Sequence, residues 1–424
     1  YVSDVMNSSP SSDSWGSRDT TSAFFELAIP VFDNFDLQAA LRYEDASDYG
    51  DTTVGKLAFG WRVFEPLLIR GSWSEAFRAP NLVTVFEGLV VRANSRTSYV
   101  CRYAEELWDE GRSPDDPRYN EARDELDCSD SVQRRAEGAN DLVPEESTNT
   151  SIGFVWEPTE NFMFTLDFWR IEKTDTIGLF GETNHSLLDL LMRIGAGDSN
   201  CTGVGNPVQG YSDPDPDQVE YYAYAGICPV GQWIYTDDTY KNLDTRIVEG
   251  HDVGIFYSTD NDLGSWDLSI RGSFYDKYVQ KPGPDSQALI DASESGVFPA
   301  GFPIPTGFGD LLRQDGNQTT KYNASLRWRR DMLGAGISAY YLSDFIDTGP
   351  GVRQGQKWVV KSMTTYNGYF DYYADLFNTE TRFRFGVNNM FDQRAPLADE
   401  VYGFAADAHR DYGRYFYVDV RVDF

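Results

Sequence analysis

No stretch of about 18 apolar residues occurs anywhere in the 424-residue chain, which excludes helical membrane spans. Histidine is scarce, and the three present, His185, His251 and His409, are too scattered to suggest a catalytic or metal-binding triad. Basic residues are outnumbered, 36 Lys and Arg against 67 Asp and Glu, for a formal net charge of −31. That balance argues against a nucleic-acid partner, because neutralising phosphates needs clustered cations. It suits a surface that stays soluble or holds cations. Gly-x-Ser-x-Gly, His-Glu-x-x-His and P-loop patterns are missing, so nothing supports an enzyme. Cysteine is limited to four residues with no CxxC or Cys/His cluster that would suggest zinc. They fall as two local pairs in polar regions, Cys101 with Cys128 and Cys201 with Cys228, and read as disulfides of an oxidising compartment, the pairing expected from locality alone. The chain also lacks a signal peptide at Tyr1 and opens abruptly in a Ser-rich stretch, residues 7–17, as a mature fragment would.

What is plentiful is aromatic side chains, at 15%, in a chain whose mean hydropathy of −0.47 resembles that of a soluble protein. A transmembrane β-barrel reconciles the two, since only alternate strand residues face lipid and its long loops are polar. The closing stretch, residues 412–424, has the pattern. Phe416, Val418, Val420, Val422 and Phe424 fall on one face of an extended strand, and Tyr415, Tyr417, Asp419, Arg421 and Asp423 on the other. By itself it is either an edge strand of a soluble β domain or the closing strand of an outer-membrane barrel.

The remaining chain favours the barrel. Period-two alternation predicts about thirteen strands, at residues 20–30, 35–45, 54–63, 67–77, 148–156, 162–176, 245–257, 265–279, 319–329, 333–345, 363–376, 381–387 and the closing stretch. Short turns and long loops alternate between them without exception, the long loops covering residues 80–146, 178–240, 280–316, 346–356 and 388–411. This is a meander with its turns on one side, expected to be periplasmic, and its loops on the other, expected to be extracellular. If the last strand descends to the periplasm, so does the first, and residues 1–19 are then an extracellular loop remnant ahead of barrel residues 20–424. An odd strand count does not close alone, so about half a barrel is expected upstream, on this chain or another.

Several motifs then come into view: Phe25-Glu26-Leu27-Ala28-Ile29-Pro30, Gly71-Ser72-Trp73-Ser74-Glu75-Ala76-Phe77-Arg78-Ala79-Pro80-Asn81-Leu82, Val143-Pro144-Glu145-Glu146-Ser147-Thr148, Asn242-Leu243-Asp244-Thr245-Arg246 with Gly250, Val387-Asn388-Asn389-Met390-Phe391-Asp392, and the terminal Phe424. In this order across nearly the whole chain, the sequence resembles the C-terminal part of the barrel of TonB-dependent receptors of the Gram-negative outer membrane. The resemblance implies a barrel of about 22 strands with a plugged lumen, of which these are the last thirteen. It also implies a plug and a TonB-engaging segment upstream, and energy-coupled import of a scarce small-molecule nutrient: an oligosaccharide, another organic nutrient or a ferric chelate. A haem receptor would carry a His in the loop after Pro80, and none occurs between Pro80 and Glu146. The rivals are a passive porin-like or structural barrel, and a binding subunit of a multi-chain outer-membrane complex.

Each candidate residue has a plainer reading beside it. Phe77, Arg78, Ala79, Pro80, Asn388, Asn389 and Phe391 match family motifs and are expected to be structural, while Phe424 resembles the signal read by the outer-membrane assembly machinery. Tyr221, Tyr222, Tyr224, Trp233 and Tyr235 offer flat surfaces in the second long loop for stacking on sugar rings or planar chelators, or they pack the loops around Cys201 and Cys228. On the polar strand faces, Arg62, Arg70, Arg271, Arg327, Arg382, Arg384 and Arg421 beside Asp167, Asp267, Asp371, Asp419 and Asp423 form a lumenal ladder of charge pairs or a translocation path. The acidic segment 101–146 reads as a solvated surface loop with a short capped helix at 118–127, a cation-dependent lid being the alternative. Asp213, Asp215 and Asp217 start like a calcium loop, but Gln218 stands where the turn needs Gly and Tyr224 where the bidentate Glu belongs, which rejects an EF-hand. No cofactor is expected, an irregular loop-bound Ca²⁺ being the alternative.

Overall fold

The computed structural model describes residues 14–299, 301–303, 307–348, 358–376, 379–400 and 402–422. Its frame is an antiparallel meander of thirteen long strands: β1 (Thr20–Phe32), β2 (Phe35–Ala46), β3 (Gly50–Phe64), β4 (Leu67–Arg78), β5 (Glu145–Thr159), β6 (Phe162–Thr174), β7 (Arg246–Asn261), β8 (Gly264–Gln280), β9 (Thr320–Arg330), β10 (Leu333–Leu342), β11 (Met363–Leu376), β12 (Thr379–Asn388) and β13 (Tyr415–Val422). Each pairs with its sequence neighbour, and among the described residues β1 and β13 are not paired with each other. Both remain free edges. Phe424 and residues 349–356 of the fourth long loop lie outside the described residues.

Register converts the period-two pattern into two faces. On one, Leu41 sits beside Phe25, Leu57 beside Trp73, Ile152 beside Phe168, Leu268 beside Leu326, and Phe385 between Phe370 and Val418. Phe25, Leu41, Leu57, Ile152, Phe168, Ile337, Phe370, Phe385 and Val418 are all exposed, so this is an apolar surface with no protein against it. Such a face running across thirteen strands belongs in lipid, where every backbone polar group must be paired within the sheet. The other face carries the charges. Arg70 reaches across the whole of β5 to Asp167, with two bonds of 2.8 and 2.5 Å, because Gly153 lies between them in register. A Cβ at Gly153 would come within 2.2 Å of the Asp167 carboxylate. Arg384 grips Asp371 with two bonds of 2.7 Å, and Arg382 reaches Asp419 at 2.6 Å.

Short connections close the turn end. Gly264, at φ +113°, follows β7 with no room for a side chain against the Arg329 carbonyl, and Asp331 takes the left-handed conformation between β9 and β10 at φ +49°. The alternation of short turns with long loops has one exception. The loop-end connection from β2 to β3 is only the turn between Ala46 and Gly50, because both strands run further than the apolar alternation signals: once past the lipid band, side-chain polarity no longer marks the strand.

The long loops do not spread as separate excursions. Four helices, α1 (Tyr99–Glu110), α2 (Glu182–Ala196), α3 (Val219–Tyr224) and α4 (Pro284–Glu294), come from three different loops and share one core, with Val100, Trp108, Leu187, Leu190, Tyr222, Ile227 and Leu289 buried in it. A four-stranded sheet joins two of those loops, since Trp233–Asp237 pairs in parallel with Ser129–Ala136. Disulfides Cys101–Cys128 and Cys201–Cys228 form as expected, with Cα atoms 5.4 and 5.5 Å apart. Helix α1 starts where Ser98 accepts the Cys101 amide. The helix expected at 118–127 is reduced to Glu121–Glu125, since Asn120 adopts φ +66° and breaks the turn before it. These loops therefore form a cap with its own interior.

The two faces respond differently to charge. Ile337→Arg on the apolar face is expected to weaken insertion into lipid vesicles by about 2–4 kcal/mol, and Ser338→Arg on the opposite face by less than about 1 kcal/mol. Equal costs in equilibrium folding titrations would contradict the assignment of faces.

Candidate functional site

The loop end of the wall is built on one carboxylate. Glu145 opens β5 directly opposite Arg78, the last residue of β4, so the two motif segments 77–80 and 144–147 meet in register. Its side chain is fully buried, Arg78 Nε and Lys173 Nζ approach it at 2.5 and 2.6 Å, and the Ile177 amide donates to it at 2.8 Å. Pro80 is buried, and its carbonyl accepts from Arg18, which also holds Asp48. Phe77 packs against Tyr49 at 6.4 Å between ring centres, and partly buried Ala79 continues the chain to Asn81, which caps Leu82–Phe86. Asn389, at φ +50°, bonds both the amide and the carbonyl of Gln393, closing the turn after Asn388 at the end of β12, while Phe391 lies edge-on to Tyr366. Phe77, Arg78, Pro80, Asn389 and Phe391 thus each make a structural contact.

The five loop aromatics divide. Tyr221, Tyr222 and Trp233 are between 1 and 3% exposed, so of the two readings loop packing holds for them: Tyr221 and Tyr222 join the cap core, and Trp233 is buried in the four-stranded sheet beside Tyr211. Tyr221 meets Trp108 edge-on at 4.7 Å, and the Trp233 amide donates to Asp130. Tyr235 lies under Arg135, 3.5 Å from the guanidinium carbon to the ring centre. Tyr224 is exposed, beside Trp108 and Arg112. Tyr221 and Tyr222 lie within the segment closed by Cys201–Cys228 and pack there with Trp108 from another loop and with Leu187 and Leu190, which takes their rings out of water.

Two polar networks lock the cap. His185 lies 3.4 Å from Asp238, which accepts from the Gly181 amide and from Arg134, each at 3.1 Å. Burial works against the Asp238 charge, yet the bonds from His185 and Gly181, with Arg134 alongside, hold the carboxyl below its ordinary range. Asp189, also buried, takes Arg193 at 2.9 Å, the Tyr211 hydroxyl at 2.9 Å and the Asn206 amide. Burial and the neighbouring Asp189 push the Tyr211 hydroxyl well up. In the last long loop, Arg394 and the Ala395 amide hold Asp411 down to about 2. Asp213, Asp215 and Asp217 remain on the surface, and among the described residues no three His, Cys, Asp or Glu side chains converge as a metal site.

The charged wall encloses a recess of about 1090 Å³ near the short turns, lined among others by Arg62, Asp267, Arg271, Asn323, Ser325 and Arg327. The cap thus lies at one end of the concave face and the recess at the other.

The family model for TonB dependent receptor-like β-barrels matches residues 2–390. This chain belongs to that family. The siderophore receptor PirA from Acinetobacter baumannii superposes with a TM-score of 0.59 at 15% identity, covering 96% of this chain and 46% of PirA. A mutant of the ferric enterobactin receptor PfeA from Pseudomonas aeruginosa gives 0.56 at 15% identity, over 95% of this chain and 44% of that receptor. The vitamin B12 transporter BtuB of Vibrio cholerae is 31% identical over 70 residues, 16% of this chain and 11% of the transporter. The chain spans less than half the length of these proteins. The family is one of outer-membrane receptor and transporter β-barrels and is not an enzyme class.

Sequence reading of this TonB-dependent barrel missed the keystone role of Glu145, although the residue lies inside a recognised motif. Nothing in one strand's pattern says which residue will face it from another. It also missed Trp108 and helices α1, α2 and α4; apolar spacing marks α1 and α2 inside the long loops and is weak in α4.

Glu145→Ala is expected to cost about 1–3 kcal/mol in thermal melts, because two cations and an amide lose a buried acceptor. Arg78→Ala should cost less than about 1 kcal/mol, since that side chain is 66% exposed; a reversed order would show that the arginine is the anchor. His409 is 2% exposed, neither ring nitrogen has a hydrogen-bond partner among the described residues, and burial holds its pKa below the ordinary 6.5. The unfolded chain then binds a proton that the folded one refuses, so stability present at neutral pH is lost as pH falls through about 6.5. Amide exchange at Ile346 and His409 should accelerate between pH 7.5 and 5.5, and unchanged protection would refute it.

Proposed function

We propose that this barrel serves energy-coupled import of a scarce nutrient across the outer membrane, with the disulfide-linked cap facing outward and admitting or holding the nutrient. The observation that carries this reading is the cap itself: three long loops condensed at one end of a family barrel into a unit with a shared core and two disulfides. A passive pore needs no such unit, whereas a receptor gains affinity from a preorganised surface. Free edges on β1 and β13, and a length under half that of similar receptors, support completion of the barrel by about nine further strands around a plug, with coupling to TonB through a segment outside this sequence. Those strands belong to the same polypeptide in this reading; a separate chain supplying them would make the protein a subunit of a larger complex.

The nutrient is an organic compound or a ferric chelate. A sugar-stacking role for Tyr221, Tyr222 and Trp233 is disfavoured by their burial, which leaves Tyr224 as the ring exposed for contact. Specificity then rests on polar groups of the cap more than on aromatic platforms.

Cells carrying the intact receptor as the sole uptake route, tested against a panel of oligosaccharides, ferric chelates and cobalamin at limiting concentration, should take up one class and lose that uptake when the proton-motive force is collapsed. Uptake that survives the uncoupler would identify a passive pore and end the coupled-import reading.

A further inference from the structure

The apolar face ends abruptly along β6, β7 and β8. Outward positions pass from Phe168 to Arg170 on β6, from His251 to Glu249 on β7, and from Phe274 to Asp276 and Lys277 on β8. Register sets the change at one level. Phe168, His251 and Phe274 stand side by side, and Arg170, Glu249 and Lys277 form the next outward row, roughly 7 Å nearer the cap. The His251 ring stacks on Phe274 at 5.0 Å and meets Phe168 at 5.8 Å. Aromatic rows of this kind flank the apolar band of a membrane barrel at its interfaces.

The charged row is built by a β-bulge. At Glu249 and Gly250 the register of β7 with β8 shifts, so two successive residues of β8 face outward: Asp276 lies 2.9 Å from His251 Nδ1, and Lys277 stands opposite Glu249, 3.7 Å from its carboxylate. Arg170 holds Glu249 from the other side and Glu172 at 2.7 Å. Lys281, just past the end of β8, is exposed and close enough to Glu172 to favour its charge, yet no acidic oxygen among the described residues lies within 4.0 Å of it. With Asp276 engaged by His251, the patch sets Arg170, Lys277 and Lys281 against Glu172 and Glu249, an excess of positive charge. On other strands the outward positions of this rim are acidic or neutral among the described residues, as at Asp45 on β2, Glu75 on β4 and Glu146 on β5.

This patch looks away from the lumen, and β6, β7 and β8 are each paired on both sides. A plug inside the barrel does not reach it, and strands added at the free edges of β1 and β13 do not cover it. What meets it is the membrane: lipid chains lie against the apolar face below, and headgroups lie at the level where that face ends. Each Lys or Arg near an anionic headgroup adds to its binding, and guanidinium and ammonium donors suit phosphate oxygens.

We propose that Arg170, Lys277 and Lys281 form a binding site for a phosphorylated lipid headgroup in the leaflet on the cap side, with the lipid chains over the row Phe168, His251 and Phe274. The two glutamates position Arg170 and Lys277 and offset much of their charge, so a free phosphate, which gains nothing from the aromatic row, binds poorly. The proposal requires the apolar face to lie in lipid and is independent of import. Lipid binding in detergent needs no energy source, so its failure leaves coupled import standing, and failure of coupled import leaves the site standing.

Native mass spectrometry of the intact receptor in non-ionic detergent, titrated with diphosphoryl lipid A and separately with the same glycolipid stripped of its phosphates, tests the site. The phosphorylated form is expected to bind saturably and roughly tenfold or more tighter, and inorganic phosphate should not displace it. Lys277→Gln and Lys281→Gln should each weaken it roughly fivefold, and both combined with Arg170→Gln should reduce it to the level of the stripped glycolipid. Arg330→Gln, which removes an outward cation at the turn end of β9, should leave it unchanged. Retained heat-modifiable migration in gels verifies that each variant is folded. Equal retention of the two glycolipids overturns the proposal, as does wild-type binding by the triple variant or equal weakening by Arg330→Gln. A receptor dimer that dissociates in the triple variant would show that a second copy covers this face, and overturns it too.

Discussion

A sheet in lipid has nowhere to send an unmet backbone hydrogen bond, and this constraint organises the whole structure. Each interior strand, β2 to β12, is paired on both sides by its sequence neighbours, and the register leaves one face apolar and the other charged. Everything else follows from that division. Because Leu57, Ile152, Ile337 and Phe385 must face outward, Arg70, Asp167, Arg384 and Asp371 must face inward, where they meet across strands. Gly153 shows how finely the inner face is graded: only a residue without a Cβ lets an ion pair span an intervening strand.

The cap obeys different physics. Freed from lipid, residues 80–146, 178–240 and 280–316 fold as a small soluble domain does, by burying apolar side chains and stapling the chain with disulfides. The wall below holds the segments in place, and Glu145 is where the two systems join: it opens a barrel strand and gathers Arg78, Lys173 and the Ile177 amide into one buried knot. A cap with its own core presents a preformed surface, and the buried bonds of Asp189 and Asp238 keep it so.

Legibility in the sequence followed the range of the interactions. Thirteen strands were readable because alternation is local and lipid enforces it. Where strands ran past the lipid band, as β2 and β3 do, the alternation faded and the expected boundaries fell short. Both disulfides were readable because each joins cysteines 27 residues apart within one loop. The cap was not, since its core combines Trp108, Leu187, Tyr222 and Leu289 from loops separated by whole strand pairs. The aromatic residues of the second loop illustrate the cost: their chemistry suits stacking on a ligand or on each other equally well, and only packing chose the interior for Tyr221, Tyr222 and Trp233.

The sequence by itself carried the strand alternation, the placing of turns and loops at opposite ends and the motifs that resemble outer-membrane receptors, with the cysteine pairing an expectation from locality that the structure bears out. Those properties are written in spacing along the chain, at ranges where geometry leaves little choice. The tertiary structure alone decided which loop residues are core and which are surface, that three loops make one cap, and which lumenal arginines are satisfied. Arg70 and Arg271 carry the same side chain on the same face. Among the described residues a carboxylate on another strand lies within reach of Arg70 and none lies within 4.0 Å of Arg271, and reach is a property of register and packing that no single strand records.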